Sequence, residues 1–147
     1  MDPKDFLTLA QQLANESTPL PEKLRTATSR AYYAAYNVSV DALGRLGIKI
    51  SKSHGGHGEL IKYLGNSKDR DLEAISGQLG TLQTNRNHAD YHLDYRDAEK
   101  SGNVKAHVAQ AQRVIETVER CCGGPNRPRI LQAMKDFEAI MKGRTGS

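Results

Sequence analysis

Between Pro21 and Gly47 apolar side chains return every three or four positions, at Leu24, Ala27, Ala31, Ala35, Val38, Ala42 and Leu46. At about 100° per residue that spacing lines one face of a helix, whereas a strand would scatter the same residues over both sides. Pro21 suits a first helical turn, where its missing N–H forfeits no hydrogen bond, and Gly47 suits the position past the end. A chain with such a segment folds around a long core helix.

The remainder carries the same signal. Apolar and polar residues nowhere alternate long enough for a strand, and Gly and Pro divide the chain into about six helical segments. A short first helix is expected over roughly 3–15, followed by a break at Pro19 and Pro21. Residues 48–58, with Ser51, Ser53 and three glycines, read as a loop into a short helix through Leu60, Ile61 and Leu64. A second long helix follows from about 68 to 95. Its stripe is Leu72, Ile75, Leu79, Leu82, Arg86, Ala89 and Leu93, so a guanidinium stands where the period calls for an apolar group. Ser101 or Asn103 is placed to cap the next helix, whose stripe runs Val104, Val108, Ala111, Ile115, Val118 and Cys122 up to Gly123-Gly124-Pro125. A last helix over about 126–142 carries Ile130, Met134, Phe137 and Met141 on one face, and Gly143 to Ser147 is expected to fray. The fold class is all-α, an antiparallel bundle of four to five helices. The stripe of the last helix either completes that bundle or packs on another copy.

With 147 residues, 37% hydrophobic and 26% charged, the chain suits one domain over 1–147. No apolar run approaches the roughly 18 residues of a membrane span. The opening Met-Asp-Pro-Lys-Asp-Phe-Leu lacks the basic-then-apolar order of a signal peptide, so the expected location is the cytoplasm. Cys121 and Cys122 are adjacent and have no further cysteine to pair with, which makes them reduced, structural thiols. The net charge of +4 is unevenly placed: residues 1–104 hold thirteen basic and thirteen acidic side chains, and residues 105–147 hold eight against four. The acid-poor run with Arg120, Arg127 and Arg129 favours an anionic partner such as RNA, or is an ordinary solvated surface.

Chemistry concentrates in Arg86-Asn87-His88-Ala89-Asp90-Tyr91-His92-Leu93-Asp94-Tyr95. A guanidinium in a core requires a carboxylate or phosphate, and Asp90 lies one helical turn away. One reading is a structural ion pair with the histidines and tyrosines as polar packing; the other is a phosphate-binding site. In a straight helix His92 lies about 120° round from Arg86 and about 9 Å along it, so the two side chains diverge. Convergence on one phosphate requires a distorted helix or two copies meeting across a dimer, and an Arg on an apolar stripe favours the dimer.

Three motifs occur in order: Arg30-Ala-Tyr-Tyr-Ala-Ala-Tyr36, Ser53-His-Gly-Gly56 and Arg86-Asn-His-Ala-Asp-Tyr91. Together they resemble the HEPN family (higher eukaryotes and prokaryotes nucleotide-binding domain), in its branch of small stand-alone bacterial and archaeal proteins, over roughly residues 22–120. The resemblance implies an antiparallel helical bundle, usually dimeric, whose active members are metal-independent endoribonucleases. They use an arginine and a histidine a few residues apart, often with a polar residue after the arginine. Here Arg86, Asn87 and His92 fit that pattern with five residues between the arginine and the histidine. The chemistry of the residues suits Asp90 to hold Arg86 and Tyr91 to meet a phosphate or a base, and the resemblance implies that Arg30 and Tyr33 reach the cleft from the neighbouring helix. Many active members are toxins silenced by a nucleotidyltransferase-like antitoxin, sometimes through a tyrosine two residues after the histidine. This sequence has Asp94 there, with Tyr91 and Tyr95 nearest. Relatives with the Arg-x-x-Ala-Asp-Tyr signature often lack the histidine and are non-catalytic binding modules; here His92 is present.

The residue types suit RNA cleavage, because RNA brings its own 2′-OH nucleophile and needs a proton-moving group and a cation for the phosphorane. No metal and no cofactor is expected. A four-histidine site from His54, His57, His88 and His92 is a minor alternative. Tyr32 and Tyr36 are expected on neighbouring faces of their helix, with Tyr33 turned away.

Overall fold

In a computed structural model of the chain, residues 1–53 and 55–145 are described. They form six α-helices, α1 (Lys4–Ala14), α2 (Pro21–Leu46), α3 (Gly56–Gly65), α4 (Arg70–Tyr91), α5 (Ser101–Cys122) and α6 (Arg127–Thr145), with one 3-10 turn, Arg96–Glu99, between α4 and α5. No strand occurs among the described residues.

The long core helix is α2. Pro21 opens it and Gly47 closes it with φ 98°, the left-handed conformation that only glycine adopts without strain. Its apolar stripe is buried from Leu24 to Leu46, and Ala27, Ala31, Ala34 and Ala35 are fully enclosed, small enough for neighbouring helices to approach closely. Helices α1, α4 and α5 pack around it. Leu72, Leu79 and Leu82 of α4 and Val104, Val114 and Val118 of α5 fill the space between, and all six are essentially without solvent exposure. At about 25 cal/mol per Å² of apolar surface, this shared core is the main source of stability.

Local signals set the helix ends. Asp69 accepts a hydrogen bond from Leu72 N at 3.0 Å and so caps α4, a contact worth about 1 kcal/mol. Gly56 starts α3 pressed so closely on Ser51 O and Tyr36 Oη that a Cβ there would collide with both. At α5 the expectation fails: Lys100 holds the cap position without a side-chain bond, and Asn103 Nδ2 instead donates to Asp97 O at 3.1 Å. The last helix starts exposed over residues 127–129 and then packs on the bundle, with Ile130 and Met134 fully buried, and Phe137 meets Tyr63 edge-on at 5.4 Å. Its outer part leaves Ile140 55% exposed. Helical structure continues to Thr145 rather than fraying from Gly143, and residues 146–147 lie outside the described residues.

The largest departure lies at the end of α4. The apolar period predicts helix to about residue 95, yet α4 stops at Tyr91 and Leu93 stands 70% exposed. A buried guanidinium from α2 accounts for it. Arg25 Nη1 donates to the carbonyls of His88, Ala89 and His92 at 3.0–3.1 Å, and Nη2 donates to those of Leu93 and Tyr95 at 3.2 and 2.9 Å. Carbonyls that would continue the helix are drawn onto one cation, which also meets the negative end of the helix dipole. Glu99 holds the guanidinium from the far side, its Oε2 accepting from Nε at 3.0 Å and from Nη2 at 2.7 Å.

Candidate functional site

The final turns of α4 carry Arg86, Asn87, His88 and Asp90, and the residues just past them carry His92 and Tyr95. Arg86 Nε lies 2.9 Å from Asp90 Oδ2. The N–H is badly aimed for donation, so the contact is an ion pair and Nε stays without a hydrogen-bond acceptor. Asn87 Oδ1 accepts from Nη1 at 3.3 Å, and no hydrogen bond among the described residues uses Nη2. Three tyrosine rings surround the guanidinium, with centroids 6.0 Å (Tyr32), 5.5 Å (Tyr33) and 5.4 Å (Tyr91) from its carbon. Such faces attract a cation and fix its plane. The Arg86 side chain keeps 16% exposure and that of Asp90 25%. It is a recessed group at the surface, not a core residue.

Asp90 is held from α2 by Ser29, whose Oγ donates to Oδ2 at 3.1 Å. Arg30 stacks on Tyr33 at 4.4 Å and on Phe6 at 5.3 Å, and its Nη2 donates to Ser29 Oγ at 3.4 Å. Among the described residues no carboxylate pairs with Arg30. Tyr33 thus has a guanidinium near it from each of two helices and meets Phe6, while Tyr32 and Tyr36 stack on each other. Tyr32 is buried, and burial pushes its hydroxyl far above the usual tyrosine range, so it remains protonated. It bonds to Nδ1 of His57, whose ring stacks on Tyr36 at 4.3 Å.

His92 caps the end of α4 with φ −119° and ψ 79°, and it is exposed. Its ring meets His88 at 5.6 Å, and His88 packs on Tyr95 at 4.2 Å with a buried, unpartnered Nδ1. Arg86 and His92 therefore engage different neighbours within one chain, and since α4 ends at Tyr91 the straight-helix geometry does not extend to His92. Tyr91, Leu93 and Tyr95 are 68%, 70% and 40% exposed beside them.

No family model, no curated protein and no solved structure matches the chain.

The enclosed spaces lie elsewhere. A cleft of about 730 Å³ is lined by Lys4, Val38, Arg45, Glu119 and Arg127, and one of about 750 Å³ by Lys49, Glu59, Tyr63, Phe137 and Met141. Neither includes Arg86 or His92. Of the four histidines, His54 lies outside the described residues, His57 packs with Tyr32 and Tyr36, and His88 and His92 pack together near Tyr95. Asp69, Asp71 and Cys121 approach one another within 4.8 Å, but Arg129 and Arg120 already pair with the two carboxylates. The basic run is likewise engaged at home: Arg120 meets Asp71 at 3.2 Å, Arg129 meets Asp69 at 3.4 Å, and Arg127 donates to Arg45 O at 2.9 Å. Both cysteines are free and buried, and burial pushes the Cys122 thiol up to about 11. No described helix is long and apolar enough to cross a membrane.

Sequence reasoning missed Arg25 and Glu99. A signal for the first was present: Arg25, Ser29, Tyr32 and Tyr36 recur at helical spacing beside the alanine stripe, giving α2 a polar and aromatic edge.

Proposed function

We propose that the chain is a metal-independent endoribonuclease of HEPN type, acting as a homodimer and as the toxin or defence component of a regulated pair. One observation carries the reading: Arg86 is oriented in advance by Asp90 and three tyrosine rings, yet its Nη2 has no hydrogen-bond acceptor among the described residues, at a surface that also bears an exposed histidine. A preorganised cation with a free donor fits a phosphate that gains charge in the transition state. His92 removes the proton from the 2′-OH, the 2′-oxygen bonds to phosphorus, and the bond to the 5′-oxygen breaks. The 5′-oxygen takes a proton from solvent or from the histidine of the second copy. Asn87 orients the phosphate, Arg30 holds the chain beside Tyr33, and Tyr91 offers a face for a base. Pooling of two copies sets the histidine of one beside the arginine of the other, and the exposed Leu93 and Tyr95 supply apolar surface for it.

A second reading, a non-catalytic dimerisation module that partners a nucleotidyltransferase-like protein, draws on the ion pair with Asp90, which already balances Arg86. Incubation of the purified protein with mixed RNAs in EDTA separates the two. Cleavage to 2′,3′-cyclic phosphate and 5′-OH ends is the expected result, and intact RNA at every protein concentration sinks the nuclease reading in favour of the module.

A further inference from the structure

The segment that bears His92 has an unusual support. From Leu93 to Tyr95 it belongs to neither α4 nor the 3-10 turn, and its side chains are exposed. Its own backbone bonds are few: His92 N to His88 O at 3.1 Å, Tyr95 N to His92 O at 3.0 Å, and Ala98 N to Tyr95 O at 3.3 Å. An exposed stretch with so little local bonding is ordinarily free to move. Here one buried side chain takes its carbonyls from inside. Arg25 makes seven hydrogen bonds, five to backbone carbonyls between His88 and Tyr95 and two to Glu99 Oε2. The Arg25 side chain keeps only 9% exposure and that of Glu99 16%.

Arg25 is also the first member of a row along α2. Ser29, one turn on, donates to Asp90, and Tyr32 and Tyr33, two turns on, face the Arg86 guanidinium. One edge of a single helix therefore fixes the backbone of His92 at one end and the partners of Arg86 at the other. A helix rises about 5.4 Å per turn and does not stretch, so α2 acts as a ruler between the two.

We infer that Arg25 is a positioning residue for the candidate site: by gathering the carbonyls of residues 88–95 onto one guanidinium braced by Glu99, it fixes the backbone that presents the His92 imidazole past the end of α4. The catalytic part of this inference rests on the nuclease reading; the structural part stands apart from it. Lysine keeps the charge of Arg25 but has three donors on one atom, and it cannot span carbonyls on both sides of the helix end. Glutamine at 99 keeps the shape and an acceptor but removes the charge that braces the guanidinium.

The test uses the full chain as parent, Arg25→Lys and Glu99→Gln, each checked for helicity. Amide hydrogen exchange and RNA cleavage in EDTA over a range of RNA concentrations are measured on all three. Exchange at the amides of His92, Tyr95 and Ala98 is expected to quicken by roughly tenfold or more while the amides of the first turns of α4 keep parental rates. The cleavage rate at saturating RNA is expected to fall by about 10²-fold in Arg25→Lys and less in Glu99→Gln, with the half-saturating RNA concentration within about twofold of parental. A merely stabilising residue leaves that split unmoved in a folded variant. Parental exchange at the three amides in folded Arg25→Lys overturns the inference, and so does quickened exchange with an unchanged saturated rate. If Arg25→Lys fails to fold, Glu99→Gln decides by the same two measurements. A parent that cuts no RNA sinks the nuclease reading and with it the catalytic part, and the exchange rates still decide whether Arg25 sets the segment.

Discussion

Two arginines meet the last turns of α4, and the chain treats them in opposite ways. Arg25 reaches in from α2 and has each of its three nitrogens hydrogen-bonded, to carbonyls and to Glu99. Arg86, on α4 itself, has one ion pair, one long hydrogen bond at 3.3 Å, and a collar of tyrosine rings. A guanidinium has five N–H donors, and a folded protein leaves them unused only at a cost. Saturation marks Arg25 as an element of the fold, and the Nη2 of Arg86, which no hydrogen bond among the described residues uses, is the feature on which the proposed phosphate-binding role rests.

The widest separation between the two arises in stability. Arg25→Ala takes the hydrogen bond from the Ala89 and Leu93 carbonyls, removes the second donor from those of His88, His92 and Tyr95, and leaves Glu99 with only its 3.5 Å ion pair to Arg96. A buried backbone group without a partner costs about 1–3 kcal/mol, so a loss on the order of 3 kcal/mol or more is expected, a large share of a typical 5–15. Urea unfolding at neutral pH measures it. Arg86→Ala is expected to cost only about 1 kcal/mol, because Asp90 stays partly exposed and keeps the Ser29 hydrogen bond. Equal losses for the two variants would erase the distinction.

In activity the order reverses in kind, since the Arg86 effect appears without unfolding. Arg86→Ala and His92→Ala are each expected to lower RNA cleavage by about 10² or more. The double variant should lose little beyond the worse single one, because the two act on one transition state. His92 lies outside the helix and is exposed, so His92→Ala should leave stability within about 0.5 kcal/mol of parental. Arg86→Lys keeps a charge but not the planar fork, and should restore little of the rate. A folded His92→Ala protein that cuts RNA as fast as its parent would remove the histidine from the mechanism.

The same contrast explains what could be read from the residues alone. Six helices follow from periodicity and from Gly and Pro, because an apolar stripe must be buried and those two residues end helices for local reasons. Arg86 stood out because it broke its stripe. Arg25 broke no stripe: it lies on the polar and aromatic edge beside one, and its partners Tyr95 and Glu99 are 70 and 74 residues away. Nothing local tells that the last predicted turn of α4 would give up its carbonyls to a distant cation. The exposed Leu93 is the visible result, a leucine that matches the helical period in a place where the helix has already ended.

Acid should distinguish the saturated arginine by a smaller effect, through its carboxylate. Hydrogen bonds from Arg25 hold the Glu99 carboxyl below its ordinary value of 4.5. A folded value below the unfolded one means that the unfolded chain binds the proton first as pH drops. The contribution of Glu99 is therefore present above about 4.5 and disappears as pH falls through the folded value. Two other groups weaken the fold in the same direction. Burial depresses His107 below 6.5, so the fold loses stability as pH falls beneath that value until the folded imidazole itself takes up a proton. The Tyr63 hydroxyl bond holds Glu138 below 4.5 as well. Both act equally in parent and Glu99→Gln, so the difference between the two proteins isolates Glu99. Thermal unfolding midpoints of the pair, taken from pH 7 to pH 3, should lie apart at neutrality and converge at the acid end, where protonated Glu99 resembles glutamine. A gap of constant size across that range would mean that the charge of Glu99 does not brace Arg25, and the saturated guanidinium would then stand on its carbonyls alone.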